Sequence, residues 1–344
     1  MDGEHLYLLV MFVFFTTIMA LRSPEVGVDT SPYTRIFEII RDADSLIVAF
    51  NIAPLTAPIY VLLCRSLAVI SQNPQIMIVF SAFFINIGVF IYINKVSHNV
   101  VLSTYCWIGL TLFYCSMNGT RQCMAVVLVL NALYYLADNI KNLRGWIMIF
   151  LAIGIHLTSL IALIAVIGFI IEDKFRDKKI VFLISVFITI VCSLSLNGII
   201  ILFLKFFPSY SMYGTGELSY SIFKSTGGGR IIYLYIFLFL ICILWIIKKS
   251  TADNFSDRFH YRMIPALIFG LVFGMINCKN ILISRMLWFF LAFFISFIPS
   301  TVESYNGKVK IILHVFVIAI LGAYSILSLI ENQNGIVPYS LFWN

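Results

Sequence analysis

Four ionisable residues stand where a mostly apolar chain rarely spends charge. Arg121 opens the run TRQCMAVVLVL, and His156 sits inside GIHLTSLIAL. Arg230 follows three glycines in STGGGRIIYLY, and Arg285 lies one turn into NILISRMLWFF. A charge inside a membrane-depth segment is costly and by default marks function. Three guanidiniums on one side of a membrane make a site for an anion, and their planar fork suits a phosphate or pyrophosphate. A lone arginine at the end of an apolar run can instead snorkel to the headgroups; the coincidence of three on one face argues against that. His156 offers a general base, because imidazole ordinarily titrates at about 6.5. Its plainer alternative is a hydrogen-bonded packing residue. Glu217 and Asp29 are weaker rivals for the base. The glycines before Arg230 would let backbone approach a bulky ligand, but the Lys-Ser/Thr of a phosphate-binding loop is absent.

These residues must be positioned by elements that live in lipid. Of 344 residues, 61% are hydrophobic and only 11% are Asp, Glu, Lys or Arg. A soluble domain carries about 25% charged residues. A chain this apolar cannot cover itself in water, so the bilayer is its solvent. Backbone groups in lipid must be satisfied within a segment, and the long unbroken runs select helices over a β-barrel. The net charge of +7 is spread between apolar runs, where topology uses it; no basic block with interleaved aromatics suggests nucleic acid. The seven cysteines lie in or beside apolar segments without metal spacing, as small core residues do. No positively charged leader precedes the first run, so it reads as a retained helix.

Apolar runs fall near 5–21, 46–70, 75–94, 98–117, 120–138, 145–171, 180–204, 231–247, 263–277, 281–299 and 309–329. They predict an all-α polytopic membrane protein of 10–11 transmembrane segments, one membrane domain over 1–344. The basic stretches 172–179 and 248–262 read as cytoplasmic. The polar stretches 22–45 and 205–230 then read as outer loops, and Arg121 falls on the outer side. The parity closes only if 46–70 and 145–171 are broken or re-entrant. Pro54 and Pro58 break the first, and Gly154 with His156 sits mid-way in the second. Residues 29–44 suggest a short interfacial helix. Tyr213 and its neighbours in 207–226 suit stacking on sugar rings, or equally an interfacial aromatic belt.

The run NGTRQCMAVVLVLNALYYL resembles the Arg-Gln-x-x-Ala helix of the EpsG/Wzy group of bacterial polysaccharide polymerases. IGIHLTSLIALI resembles that group's His-x-Ser/Thr-Ser/Ala-Leu motif, and residues 29–37 resemble its outer-loop Asp-Tyr-x-x-Tyr pattern. Ala53, before Pro54, departs from a frequent acidic residue. The resemblance implies a GT-C-like glycosyltransferase of the bacterial inner membrane, working without metal or cofactor on the periplasmic face. It implies an O-antigen or related polymerase that moves a growing glycan from undecaprenyl pyrophosphate to a lipid-linked repeat unit. In that frame Arg121, Arg230 and Arg285 hold the pyrophosphate and His156 with Arg121 is catalytic. Gln122, Asp29, Tyr33, Tyr213 and Glu217 are left to contact acceptor or glycan. Its partners are the lipid-linked oligosaccharide, membrane lipid and a chain-length regulator. An O-antigen ligase shares carrier and compartment but usually has a larger outer loop; a flippase or transporter would show an internal repeat.

Overall fold

Helices are the elements this composition demands, and they are what the chain forms. The structure, a computed structural model, describes residues 3–52, 57–174, 229–248, 255–277 and 285–343, with a few more between 184 and 205. Its helices begin with α1 (Gly3–Ala20), α2 (Thr30–Asp42), α3 (Leu46–Ile52), α4 (Pro58–Ile70) and α5 (Gln75–Val96). They continue with α6 (Val100–Gly109), α7 (Leu112–Asn118), α8 (Thr120–Asp138), α9 (Leu143–Ile155) and α10 (Ala162–Lys174). The last are α11 (Gly229–Lys248), α12 (Phe255–Asn277), α13 (Trp288–Leu291), α14 (Phe294–Glu303) and α15 (Gly307–Ile330). Among the described residues 6 helices are long and apolar enough to cross a membrane, or 7 if α6 and α7 form one bent span. The protein is a polytopic all-α membrane protein.

Three further apolar runs, 46–70, 98–117 and 145–171, form shorter pieces, and local chemistry explains two of the breaks; most of run 180–204 lies outside the described residues. Run 46–70 is split: α3 ends at Ile52 and α4 starts on Pro58. Proline suits that first turn because its missing N–H has no intrahelical partner there. Pro54 lies outside the described residues. Run 145–171 is also split, by a 3₁₀ turn at Leu157–Ile161 between α9 and α10. There the Ser159 hydroxyl donates to the Ala152 carbonyl at 3.1 Å and the His156 carbonyl at 2.7 Å. Such side-chain bonds compete with the helical ladder. A third break departs from the expectation of a simple span over 98–117. The axis turns by 53° between α6 and α7, at Thr111 with φ 61°, a conformation unfavourable for a β-branched residue.

The chain divides into two compact units. The first comprises residues 1–132, 143–160 and 295–344. Its framework is α1 against α5, joined by α6, α7 and α15. Helix association in lipid cannot use the hydrophobic effect and relies on close packing and interhelical hydrogen bonds. Tyr92 and Ser296 accordingly bond at 2.7 Å, Tyr114 and Ser325 at 2.9 Å, and the Tyr105 hydroxyl donates to the Ile318 carbonyl at 2.7 Å. Outward apolar residues such as Leu6, Val10 and Phe14 on α1 and Ile311 and Val315 on α15 are exposed, as lipid-facing positions should be.

This unit has two polar ends, because α5 runs the length of it. At one end Asn99 donates to Glu303 at 2.9 Å, and Lys310 pairs with the same carboxylate. At the other, the Gln75 amide donates to the carbonyls of Ala20 and Arg22. Segment 22–45, Asn118 and Arg121 share this second end, as the basic-loop argument expects. The chain's last residues also lie there: Ser23 and Phe342 exchange backbone bonds with Ser340 and Leu21, and Gly27 N–H donates to Gly335 O at 2.8 Å. They form a strap across the loop that follows α1.

The second unit comprises residues 133–142 and 161–294. In it α10 packs on α12, with Gly168 against Pro265. Arg262 closes that pair, bonding Asp173 at 2.9 Å and lying over the Phe169 ring at 5.1 Å.

Candidate functional site

Arg121 is the second residue of α8, so its place is set by whatever fixes the α7–α8 corner. The loop after α1 does this. Asn118 Oδ1 accepts the Asp29 backbone N–H at 2.9 Å, and the Thr30 hydroxyl donates to Val26 and Met117 carbonyls at 2.8 and 3.0 Å. Gly27 makes the approach possible. A Cβ there would lie 2.4 Å from the Met117 carbonyl oxygen, and its φ of +94° favours glycine. Gly27→Ala is expected to cost about 1–3 kcal/mol, read as a lowered Tm of the detergent-solubilised protein. An unchanged Tm would mean that the loop is not clamped to α7.

α2 then carries Tyr33 over the corner. Its apolar side is buried through Phe37 and Ile40, so the segment forms the short amphipathic helix that its pattern suggests. Arg65 of α4 holds its end, donating to the Ile40 and Arg41 carbonyls at 3.0 and 2.7 Å; a cation there satisfies terminal carbonyls and opposes the helix dipole. This fixes α4 beside α2 and places Tyr60 near Tyr33, ring centroids 6.5 Å apart.

Between these rings lies the Arg121 guanidinium, 4.7 Å from the centroid of Tyr60 and 5.8 Å from that of Tyr33. Arg121 is 8% exposed, and its Nε has no hydrogen-bond partner among the described residues. The tyrosine faces stabilise the charge by cation–π attraction, but no carboxylate among the described residues neutralises it. The preceding residue, Thr120, accepts from a second guanidinium, Arg22 Nη2, at 3.2 Å. Arg22 also donates to the Met19 carbonyl, is fully buried, and leaves Nε without a partner among the described residues. Burial pushes its pKa down to about 9, with Tyr339 acting the other way. A cavity of about 10 Å³ is lined by Arg22, Tyr33, Tyr60, Thr30, Ser81 and Thr120 together with the apolar Met77 and Ile78.

His156 is partly buried at the end of α9. Thr158 Oγ1 and its Nδ1 share a hydrogen bond at 2.7 Å, which orients the ring. α9 meets α4 at Gly154, where a Cβ would come within 2.3 Å of Ile59. Ile59 and Tyr60 are consecutive, so a single turn of α4 touches both the histidine break and Arg121.

The other sequence candidates distribute as follows. Gln122 is buried beside Arg121 at the start of α8. Asp29 precedes α2 as its N-cap residue, although its side chain makes no capping bond. Arg230 is exposed in the first turn of α11, and Arg285 is partly buried shortly before α13; both belong to the second unit. Tyr213 and Glu217 lie outside the described residues. Sequence reasoning missed Arg22 and Tyr60. Arg22 ends an apolar run, where an arginine ordinarily snorkels, and Tyr60 is one aromatic among many in an apolar stretch.

A sequence model described as the EpsG family matches residues 5–341. No curated protein and no solved structure shows significant similarity to the chain.

Proposed function

The chain belongs to the EpsG family, and from that premise we propose that it polymerises a surface polysaccharide from lipid-linked repeat units. The family supports a polysaccharide polymerase-like role at a membrane. The finer reading is a glycosyltransferase that moves the growing glycan from undecaprenyl pyrophosphate to the next lipid-linked unit, in the bacterial inner membrane with the site toward the periplasm. The observation that carries it is the Arg121 guanidinium, buried between Tyr33 and Tyr60 with no carboxylate among the described residues. A buried cation without a counter-charge is unfavourable, so the arrangement suits an anion that comes and goes.

In the reaction, an acceptor sugar hydroxyl attacks the anomeric carbon of the donor glycan. The bond from that carbon to the diphosphate oxygen breaks, and charge builds on the leaving diphosphate. Arg121 opposes that charge from a site poor in water, where a fixed cation acts most strongly. His156 takes the acceptor's proton, with its ring oriented by Thr158. Tyr33 and Asp29, on the rim of the same corner, are placed for acceptor or sugar contacts.

The test is an assay of the full chain in proteoliposomes supplied with the lipid-linked repeat unit alone. A ladder of lengthening lipid-linked glycans is expected. A flippase moves the unit without extending it, and a ligase leaves it unextended for want of its acceptor. Failure to extend authentic units overturns the reading.

A further inference from the structure

Arg22 has no part in the reading so far, yet it is the most deeply buried cation described. It is 0% exposed. A guanidinium has five N–H donors; here one nitrogen donates to Met19 O, another to Thr120 Oγ1, and Nε meets no partner among the described residues. Neither salt bridge nor carboxylate hydrogen bond compensates it among the described residues. A role confined to the end of α1 would need only the Met19 bond, which a neutral donor could supply. Arg22 borders one small cavity whose lining includes Thr30, Tyr33, Thr34, Tyr60, Ser81 and Thr120 beside the apolar Met77 and Ile78. Two of those, Tyr33 and Tyr60, are the rings that flank Arg121. Arg22 thus shares a cavity with the two tyrosines that flank Arg121, and it bonds Thr120, the residue just before Arg121 on α8.

We propose that Arg22 is a second cationic group of the donor site, and that it and Arg121 together bind the two phosphoryl groups of a polyprenyl diphosphate. The proposal rests on the donor chemistry proposed above and assigns to it a residue on a different element. The cavity of about 10 Å³ holds a water rather than a phosphate. Entry of the anion therefore requires a wall to move, and Tyr33, half-buried where Tyr60 is fully buried, is the wall that can. The strap at 334–343 closes Arg22 from the other side, through Ser23–Ser340 and Leu21–Phe342 backbone bonds. It holds the guanidinium in place while the diphosphate docks.

The experiment measures binding of farnesyl diphosphate to the full chain in phosphatidylcholine nanodiscs, with farnesyl monophosphate, inorganic pyrophosphate and added phosphatidylglycerol as comparison ligands. The wild type is expected to prefer the diphosphate over the monophosphate, with phosphatidylglycerol giving no comparable effect. Arg22→Lys loses the fork and is expected to raise the diphosphate Kd about tenfold or more, and to erase the preference over the monophosphate. Thr120→Val removes one of the bonds that aim Arg22 and leaves the charge; it is expected to raise the Kd severalfold. This second variant decides the matter if Arg22→Lys does not fold. Unchanged diphosphate affinity in the folded variant overturns the role of Arg22. Binding of phosphatidylglycerol as tight as that of the diphosphate overturns it too, by making ordinary headgroups the ligand. Loss of binding in Arg121→Lys but not in Arg22→Lys sinks this proposal and leaves the polymerase reading standing. A wild type that binds no diphosphate at all sinks both.

Discussion

Replacing Arg121 with methionine is expected to lower polymerisation by about 10²–10³-fold while leaving the protein at least as stable. The two halves of that result come from the same geometry. The guanidinium is buried against Tyr33 and Tyr60 and lacks a carboxylate partner among the described residues. Its desolvation is a cost that packing alone does not recover, and replacing a buried charge with an apolar side chain of similar length is often neutral or stabilising. A residue kept at that cost is there for a ligand. Arg121→Lys keeps the charge but loses the planar fork and the broad stacking face, so it should retain no more than about a tenth of the rate. The measurement pairs ladder length in the proteoliposome assay with a thermal melt of each variant. Long ladders from Arg121→Met would end the assignment. A large drop in Tm would instead make Arg121 a structural residue.

His156→Gln is the second large effect. A positioned general base contributes about 10²–10⁴-fold, so turnover should fall by at least the lower figure with little change in KM. Glutamine can still bond Thr158, which keeps the α9 break in shape and isolates the proton-transfer role. The pH dependence supplies the sign. A base acts when deprotonated, so the wild-type rate should fall toward acid pH, and the Gln variant should lose that acidic limb. Full activity with an unaltered pH profile would remove His156 from the reaction. Thr158→Val tests the orientation: it should cost part of the rate and keep the limb.

Both experiments concern residues that local sequence signals mark, and the reason is that each signal acts over a few residues. Arg121 heads an apolar run, and α8 begins at Thr120. Gly154 and His156 interrupt a run, and α9 stops at Ile155. Pro58 starts α4 because proline suits a helix's first turn. The amphipathic pattern over 30–42 gives α2 its buried side. The bilayer itself follows from composition, since no arrangement of so few polar residues could coat the chain in water.

Other features had no local signature. The bend at Leu110–Thr111 falls in an uninterrupted apolar stretch, and a β-branched threonine is a poor guide to a left-handed residue. Contacts from distant segments hold it: Gly109 lies against Leu321, and Met117 accepts from Thr30. The strap is equally silent in sequence, because its backbone bonds join residues more than three hundred positions apart. Arg22 is the clearest case. By sequence it is a cation at the end of a helix, free to reach the headgroups. The strap, the α7–α8 corner and Gln75 close over it, and that closure turns a snorkelling position into a buried one. Sequence alone determined the solvent, the helices, two of their breaks and Arg121, because composition and short-range chemistry suffice for those. Tertiary structure alone decided which cation is buried beside Arg121 and which rings flank it, because burial is a property of everything that packs around a side chain.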